Sequence, residues 1–303
     1  MNHQGRPIHG PRPHEGFQSP APWRVGGVRL DFSQPRILGI LNVTPDSFSD
    51  GGDYLQPEVA LARARQMLAE GADIIDLGGA SSHPLARPVS AAQELTRLRP
   101  VLEALAGTPG LLISLDTQLP EVAAVCLKLG AHIVNDVSGM TDPAMARVAA
   151  EHDAPLVITY NNFNVPKEAS GLSFVSDMLA FFDERIEEAE AIGVRRLILD
   201  PGYGFGKSLE ENLILLRAIP MLHRFGRPVL ICTSRKGSLG KLTGEAEPKE
   251  RLGASLATTL YAVNQGAVLA RMHDVKAFRQ ALTVWQTLEG LAGEDPPLGG
   301  VFA

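Results

Sequence analysis

Residues 37–52 read Ile-Leu-Gly-Ile-Leu-Asn-Val-Thr-Pro-Asp-Ser-Phe-Ser-Asp-Gly-Gly, an apolar run followed by a polar residue and a loop rich in serine, aspartate and glycine. A continuous apolar run that ends in this way is typical of a strand buried on both faces in a parallel sheet. The stretch therefore predicts a buried parallel strand over residues 37–41, with Asn42 at its carboxyl end.

The same pattern recurs seven times along the chain. These further runs are Ile74–Ile75, Leu112–Leu115, Ile133–Val134, Leu156–Ile158, Leu197–Leu199, Val229–Ile231 and Val268–Ala270. Stretches with helical spacing lie between them. One helix is predicted to begin at Pro57 and to stop at Gly71, and another to begin at Pro120 and to stop at Gly130. The longest helix is predicted to begin near Phe174 and to end before Gly193.

The rhythm of strands and helices predicts an α/β fold, specifically a single-domain (β/α)8 TIM barrel of about 250 residues. The competing architecture is an open doubly wound sheet, which needs a G-x-G-x-x-G turn after its first strand. The loop after the first predicted strand, residues 42–52, lacks that turn. The glycine-rich stretch 202–206 follows the sixth strand and has the wrong spacing, so the barrel is favoured.

Composition and charge argue against some kinds of binding partner and predict the cellular compartment. The chain has 303 residues with 28 basic and 34 acidic side chains, a formal net charge of −6. This balance argues against nucleic acid or a membrane surface as a partner, because either attracts a clustered basic patch. The two cysteines, Cys126 and Cys232, are expected to be buried free thiols of a cytoplasmic protein. We expect residues 1–24 to form a disordered lead-in, residues 25–290 the barrel, and residues 291–303 a loose tail.

Polar residues stand at the carboxyl ends of the predicted strands. They are Asn42, Asp76, Asp116, Asn135, Asp200, Lys236, Arg271 and His273. A single aspartate that closes a strand is commonly a turn former. In a barrel, however, the carboxyl ends of all strands surround one mouth, and the opposite rim has no comparable set. The pattern therefore predicts a functional site at this mouth.

One part of this set consists of hydrogen-bond acceptors. Asp116, Asn135 and Asp200 follow the third, fourth and sixth strands. Carboxylate and amide oxygens in these positions would accept hydrogen bonds from a planar ligand with adjacent N–H groups. The sequence therefore predicts an acceptor-lined slot for a guanidine-like ring.

The other part of the set is basic. Residues 234–236 read Ser-Arg-Lys after the seventh strand, and residues 271–273 read Arg-Met-His after the eighth. Barrels often hold phosphate in these two loops. Lys236, Arg271 and His273 are expected to supply cationic donors to an anionic leaving group. A phosphate or diphosphate pocket is therefore predicted beside the acceptor-lined slot.

Seven segments carry a resemblance to a known family. They are residues 40–52, 72–79, 113–117, 134–139, 199–207, 234–236 and 271–275. In this order they resemble the dihydropteroate synthases of the pterin-binding barrel family, over about residues 36–290. The resemblance implies a transferase of folate biosynthesis that condenses 6-hydroxymethyl-7,8-dihydropterin diphosphate with p-aminobenzoate, assisted by Mg²⁺. It also implies a homodimer.

Matched position by position, the family's functional residues fall on this chain as follows. The resemblance implies substrate binding by Asn42, Ser82, Asp116, Asn135, Asp200, Phe205, Arg235, Lys236, Arg271 and His273, and catalysis by Asp116, Asp200, Lys236, Arg271 and His273. Asn42 matches the residue that holds Mg²⁺ against the diphosphate, and Phe205 matches an apolar wall near p-aminobenzoate. No Ser–His or Cys–His arrangement for a nucleophile is apparent, and this reaction requires none.

The chain departs from the family pattern in two places. After Gly79 the family usually continues Glu-Ser-Thr-Arg-Pro-Gly, whereas residues 80–85 here read Ala-Ser-Ser-His-Pro-Leu. Ser82 replaces a threonine hydroxyl, and Arg87 is a candidate to replace the missing arginine. The fifth strand usually ends in Met-His-Met, whereas residues 159–163 read Thr-Tyr-Asn-Asn-Phe. Tyr160 and Asn161 are expected to line the pterin pocket with polar atoms.

These departures leave two alternatives to an active synthase. The first is a pterin-binding paralogue with little or no synthase activity, which would bind the pterin diphosphate without turnover. The second is a pterin-dependent methyltransferase that hands a methyl group to a corrinoid partner. The two basic motifs at residues 234–236 and 271–273 argue against the second, because its donor brings no diphosphate to hold.

Overall fold

Eight strands pair in parallel into one sheet that closes on itself. The computed structural model describes residues 19–43, 57–80, 89–162 and 174–291. Within these residues the first strand of the barrel pairs with the last, and a bridge between Leu199 and Val229 completes the closure. Each strand is hydrogen-bonded in parallel to its neighbour in the chain, as eight successive βα units require. The predicted α/β barrel is confirmed.

The elements have the following bounds. The barrel strands are β3 (Arg36–Asn42), β4 (Ile74–Gly78), β5 (Leu112–Asp116), β6 (Ile133–Asp136), β7 (Leu156–Thr159), β8 (Leu197–Asp200), β9 (Leu230–Ile231) and β10 (Leu269–Met272). The helices are α1 (Pro57–Ala69), α2 (Ala91–Leu105), α3 (Pro120–Lys128), α4 (Ala144–Glu151), α5 (Phe174–Ile192), α6 (Leu209–Leu222), α7 (Gly237–Thr243), α8 (Leu252–Asn264) and α9 (Val275–Leu291). Among the described helices, none is long and apolar enough to cross a membrane.

The predicted helix boundaries agree with the structure. Helices α1 and α3 begin at Pro57 and Pro120, where proline costs no hydrogen bond because the first amides of a helix have no partner. The chain leaves α5 at Gly193 with φ of +110°, a conformation that favours glycine. Along α5, Met178 and Phe182 are buried, as their helical spacing predicts.

A short antiparallel hairpin precedes the barrel and covers its amino-terminal end. Its strands are β1 (Trp23–Val25) and β2 (Val28–Leu30), joined by a Gly-Gly turn. Gly26 has φ of +53°, and a Cβ atom there would lie 2.1 Å from the ring of His132. The predicted start of the folded region at residue 25 falls inside β1, so the folded chain also includes Trp23 and Arg24. Residues 1–18 and 292–303, which hold most of the predicted lead-in and tail, lie outside the described residues.

The interior of the barrel is filled in two chemically different layers. Every second residue of a strand points to the same face. The layer nearest the hairpin is apolar and consists of Leu38, Ile74, Leu112, Ile133, Val157, Ile198, Leu230 and Leu269. Further along the strands, toward their carboxyl ends, the inward-facing residues are Ile40, Asp76, Ser114, Asp116, Asn135, Thr159, Asp200, Cys232 and Arg271. We call this second set the polar layer. Because barrels are usually filled with branched apolar side chains, it marks the floor of a site.

Candidate active site

Arg271 is the centre of the charged contacts in the polar layer. Its Nε atom donates to Oδ2 of Asp76 at 2.6 Å, and its Nη2 atom donates to Oδ2 of Asp116 at 2.5 Å. Burial opposes the charged guanidinium, but the two carboxylates raise the pKa of Arg271 above its ordinary value. The predicted convergence of acidic and basic strand ends at one mouth is therefore confirmed for these three residues.

Burial dominates the electrostatics of the two aspartates predicted to bind substrate. It raises the pKa of Asp116 to about 7, opposed by Arg271 and reinforced by Asp76. Burial also raises the pKa of Asp200, although the Gly202 amide donates to its Oδ1 at 2.7 Å. A ligand that brings N–H donors or positive charge would therefore stabilise the ionised form of both carboxyl groups.

Asn135 completes the acceptor side of the mouth. Its Nδ2 atom lies 3.3 Å from Oδ2 of Asp76. Its Oδ1 atom is buried and has no hydrogen-bond partner among the described residues. An unpaired buried carbonyl oxygen costs about 1–3 kcal/mol, so a ligand donor at this position would be favourable.

The loops after β9 and β10 are joined by side-chain contacts. Oγ of Ser234 and Nδ1 of His273 share a hydrogen bond of 3.0 Å. Next to it, Nε of Arg235 donates to Oδ2 of Asp274 at 3.0 Å, and Nη2 donates to Oδ1 at 2.5 Å. The backbone of Arg235 has φ of +60°, a conformation that is uncommon for a residue with a side chain. The substrate-binding role of Arg235 stays a prediction, whereas its contact with Asp274 is a structural link between the loops.

His273 differs from its prediction as a cationic donor. Burial, together with the nearby Arg235 and Arg271, lowers the pKa of His273 to about 3. The imidazole is therefore neutral at neutral pH in this ligand-free state, and binding of the diphosphate by His273 stays a prediction. The sequence also gave no sign of the Ser234–His273 pair.

Lys236 and Phe205 lie together on the other side of the mouth. The Nζ atom of Lys236 is 4.2 Å from the centroid of the Phe205 ring, within the range of a cation–π interaction. The lysine stem also passes Gly204, where an added Cβ would lie 3.0 Å from Cδ. The contact places the ammonium and the predicted apolar wall side by side.

Asn42 stands at the end of β3, beside Asp116. A Cβ atom added at Gly78 would lie 3.2 Å from Oδ1 of Asn42 and 3.5 Å from Cβ of Asp116, so the two side chains flank this glycine. No cluster of three acidic, histidine or cysteine side chains suited to a metal occurs in the part of the chain that the structure describes. A single amide oxygen fits a Mg²⁺ ion that takes its other ligands from water and phosphate oxygens.

The fifth strand explains one departure from the family pattern. Tyr160 points out of the barrel and packs against Phe174, Phe181 and Phe182, with ring centroids 5.2–6.4 Å away. The expectation that Tyr160 lines the pocket is therefore wrong, because it stands one residue past inward-facing Thr159 on an alternating strand. Asn161 is buried and donates to the carbonyl oxygen of Val137 at 2.7 Å.

Some predicted features cannot be located. Ser82, His83 and Arg87 of the second loop, and the first loop at residues 44–56, lie outside the described residues. Asp76, by contrast, contacts Arg271 and Asn135 in the site, although the family resemblance assigns it no role. The signal that identifies it is the two-residue spacing from Ile74, which places its side chain inside the barrel.

A second concave region lies at the opposite end of the barrel. This cleft has a volume of about 360 Å³ and is lined by residues of the hairpin, the start of β3 and the loop before β5. Its charged residues include Arg36 and Asp73, which pair with each other at 3.2 Å. None of the predicted site residues lines it, so the site is assigned to the polar mouth.

Comparisons with known proteins identify the family to which the chain is similar. The chain matches the pterin binding enzyme family over residues 38–273. The dihydropteroate synthase of Synechocystis sp. is 40% identical over 277 residues, which cover 89% of this chain and 96% of that protein. The Xanthomonas albilineans dihydropteroate synthase solved with 4-aminobenzoic acid has a TM-score of 0.84 at 41% identity and covers 90% of this chain and 99% of its own. A structure of the same enzyme in complex with 7,8-dihydropteroate has a TM-score of 0.80 at 39% identity. It covers 89% of this chain and 99% of its own.

The class of protein follows from three findings. The chain forms a closed parallel barrel, the mouth of the barrel is polar and charged, and the family match spans most of the chain. The chain belongs to the pterin-binding enzyme family. Within it, the chain belongs with the dihydropteroate synthases, which are transferases. The family resemblance carried by the sequence motifs is confirmed.

Proposed function

We propose that the protein condenses 6-hydroxymethyl-7,8-dihydropterin diphosphate with p-aminobenzoate to give 7,8-dihydropteroate and diphosphate. The observation that carries this proposal is the bridge from Arg271 to Asp76 and Asp116. Through it, the acceptor side and the basic side of the mouth meet at one point. A substrate that carries a diphosphate on a donor-rich ring needs the acceptor side and the basic side of the mouth to lie next to each other.

The pterin ring is assigned to the acceptor side. Asn135 Oδ1 and the carboxyl groups of Asp116 and Asp200 are buried acceptors that face the barrel interior. They would pair with the adjacent N–H groups of the ring and hold it in one plane. Lys236, whose Nζ atom lies over the Phe205 ring, would donate to an acceptor on the pterin ring. Phe205 itself would border the p-aminobenzoate site.

The reaction then requires charge stabilisation rather than a nucleophile from the protein. The carbon–oxygen bond to diphosphate breaks and its electron pair leaves with the diphosphate. The amine nitrogen of p-aminobenzoate forms the new carbon–nitrogen bond and releases one proton. Arg271 and neutral His273 would donate to the leaving diphosphate, and Asp116 and Asp200 would stabilise the positive charge that develops on the reduced ring.

We further propose that Asn42 helps to hold Mg²⁺ at the diphosphate. Its amide oxygen is of the hard type that this ion prefers, and it stands beside Asp116 at the mouth. When bound, Mg²⁺ supplies positive charge to the leaving group. Asn42 itself would orient the diphosphate end of the substrate toward Arg271.

The similarity to dihydropteroate synthases over nearly the whole chain does not favour either alternative. A paralogue without activity rests on Ala80 and His83 alone. A methyltransferase would leave the basic loops at residues 234–236 and 271–273 without a diphosphate to bind. We therefore retain synthase activity as the conclusion.

We also propose that the chain is a homodimer that works in the cytoplasm. Helices α6, α7 and α8 pack against one another. They expose Leu213, Ile214, Leu242 and Tyr261 on the surface, which is a physical mark of an interface. In the cytoplasm the two buried cysteines would remain free thiols. A single sedimenting species of twice the chain mass, converted to monomer by Leu242→Glu, is the expected result.

The activity is tested with the purified chain, the pterin diphosphate, p-aminobenzoate and Mg²⁺, following both dihydropteroate and diphosphate. We expect equal amounts of the two products and loss of turnover when the metal is chelated. Lys236→Ala should lower kcat/KM by roughly 100-fold, because a charge-assisted contact in a buried site is lost. The matched control is Lys128→Ala, which removes an exposed lysine in the last turn of α3 and should leave the rate unchanged. Binding of the pterin without any product would identify the inactive paralogue instead.

A further inference from the structure

Asp76 joins the two sides of the mouth from below. It is fully buried in the polar layer on β4. Oδ2 of Asp76 accepts from Nε of Arg271 at 2.6 Å and from Nδ2 of Asn135 at 3.3 Å. Its other oxygen, Oδ1, lies 3.5 Å from the same Nδ2 atom. One carboxylate therefore contacts a residue predicted to bind diphosphate and a residue predicted to bind the ring.

This contact decides which way the Asn135 amide faces. A carboxylate only accepts hydrogen bonds, so Asn135 must turn its NH₂ group toward Asp76. The carbonyl oxygen Oδ1 is then directed away from Asp76, and it is buried without a partner among the described residues. The pocket consequently presents an acceptor at this point and no donor.

We infer that Asp76 is a positioning residue that sets the hydrogen-bond polarity of the pterin pocket through Asn135 and anchors Arg271 beside it. This inference rests on the proposed function, since it specifies how the same site recognises its ring. A ring edge with an N–H donor opposite Asn135 is accepted. A ring edge that places a lone pair there leaves two acceptors facing each other and is rejected.

The change Asp76→Asn gives a definite expectation. The new amide must turn its oxygen toward Arg271 Nε, because that group only donates. Its NH₂ group then takes the place of Oδ1, 3.5 Å from Nδ2 of Asn135, and this contact between two donors favours rotation of Asn135 to offer its own oxygen. Asn135 would now present NH₂ to the pocket, which is the wrong polarity for the ring donor. The shape of the site is nearly unchanged, so the effect comes from the reversed hydrogen-bond polarity and from the lost negative charge beside Arg271.

The exchange Asp76→Asn combined with Asn135→Asp should reverse the loss. Asn at position 76 then donates to a carboxylate at position 135, whose second oxygen again faces the pocket as an acceptor. The net charge of the pair equals that of the wild type. A residue whose importance is only structural would not be rescued by this particular partner change.

The experiment measures binding of 6-hydroxymethyl-7,8-dihydropterin diphosphate by calorimetry, together with KM for each substrate. We expect Asp76→Asn to weaken pterin binding by at least about 10-fold, the cost of one mispaired buried contact, with KM for p-aminobenzoate little changed. The double variant should recover at least half of that loss on a logarithmic scale. The control is Asp73→Asn, which alters the same chemical group three residues earlier, at the opposite end of the barrel, and should leave pterin binding unchanged.

Several results would overturn the inference. Pterin binding by Asp76→Asn within about two-fold of the wild type would do so, as would a folded double variant that binds no better than the single one. If Asp76→Asn fails to fold, the double variant decides alone: binding near the wild-type level is expected, and its loss contradicts the inference. Turnover by the wild type tests the proposed function separately, because a chain that binds the pterin without product still allows the comparison of variants. A wild type that does not bind the pterin overturns both.

Discussion

Nη2 of Arg271 lies 2.5 Å from Oδ2 of Asp116, so a guanidinium predicted to bind diphosphate is held against a carboxylate predicted to bind the pterin. Both groups are almost completely buried. A pterin that donates N–H groups to Asp116 competes with this contact, while Arg271 keeps its bond to Asp76. If the pterin binds Asp116 as proposed, its binding would free Arg271 to reach the diphosphate.

The first prediction concerns the pH dependence of catalysis. The pKa of Asp116 is raised to about 7, mainly by burial, and an ionised carboxylate is a stronger hydrogen-bond acceptor than a protonated carboxyl group. We expect kcat/KM for the pterin diphosphate to rise with pH through about 7 in the wild type. Asp116→Asn should lower the plateau by roughly 10- to 100-fold and remove this limb of the profile. The exposed carboxylate Glu121 is the control: Glu121→Gln should keep the wild-type profile, and a limb that survives in Asp116→Asn would assign the ionisation to another group.

The second prediction concerns stability against pH. The pKa of Asp116 is higher in the folded state than its ordinary value of 3.8, so the folded protein binds its proton more tightly than the unfolded chain. This contribution to the free energy of unfolding is fully present below pH 3.8 and is lost as the pH rises through about 7. The stability of Asp116→Asn relative to the wild type should therefore increase from pH 4 to pH 7. Denaturant unfolding at several pH values measures it, and a constant difference would argue against the raised pKa.

The third prediction separates two roles of Arg235. If the Arg235 guanidinium mainly links the loops through Asp274, then Arg235→Ala and Asp274→Ala should have the same effects. Each should destabilise the chain by about 1–3 kcal/mol and raise KM for the pterin diphosphate. The double variant should cost little more than either single one, because the pair is already broken. Arg235→Lys should not restore the two-point contact. A rise in KM with Arg235→Ala alone, at unchanged melting temperature, would instead indicate direct binding of substrate.

The fourth prediction is a stability effect without a catalytic one. Asp73 accepts from Arg36 at 3.2 Å, from Arg279 at 2.8 Å and from the amide of Ile37 at 2.8 Å, and so ties α9 to the start of the barrel. Asp73→Ala should lower the free energy of unfolding by about 1–3 kcal/mol, with kcat/KM unchanged since the site lies at the other end. Glu103→Ala, which breaks an exposed pair, should cost less than about 0.5 kcal/mol. A fall in kcat/KM of the folded Asp73→Ala would contradict the separation of the two ends.

Local pattern predicted the barrel well because each βα unit carries its own signals. The apolar runs at residues 37–41 and 112–115 lie within β3 and β5, and Pro57 and Pro120 begin the helices where expected. Pattern was less informative for the hairpin, whose strands have three residues each. Such short strands gain their stability from packing under the barrel, which no local window contains.

Within the site, the sequence predicted which residues gather but not how they interact. Tyr160 was expected in the pocket and points outward, because strand alternation separates it from Thr159. Burial and two neighbouring arginines lower the pKa of His273 in the ligand-free site, a shift that the sequence does not predict. Side-chain direction and pKa at these positions depend on residues that are distant in sequence but close in space.

The amino-acid sequence by itself determined the order of strands and helices, the family and the chemical types of side chain at the barrel mouth. These follow from periodicity and from motifs that act over a few residues. Only the tertiary structure decided that Asp76 supports both Arg271 and Asn135, that Ser234 contacts His273, and which carboxyl groups lose their water. Hydrogen-bond polarity and pKa depend on what surrounds a group in space, and closure of the barrel creates those surroundings.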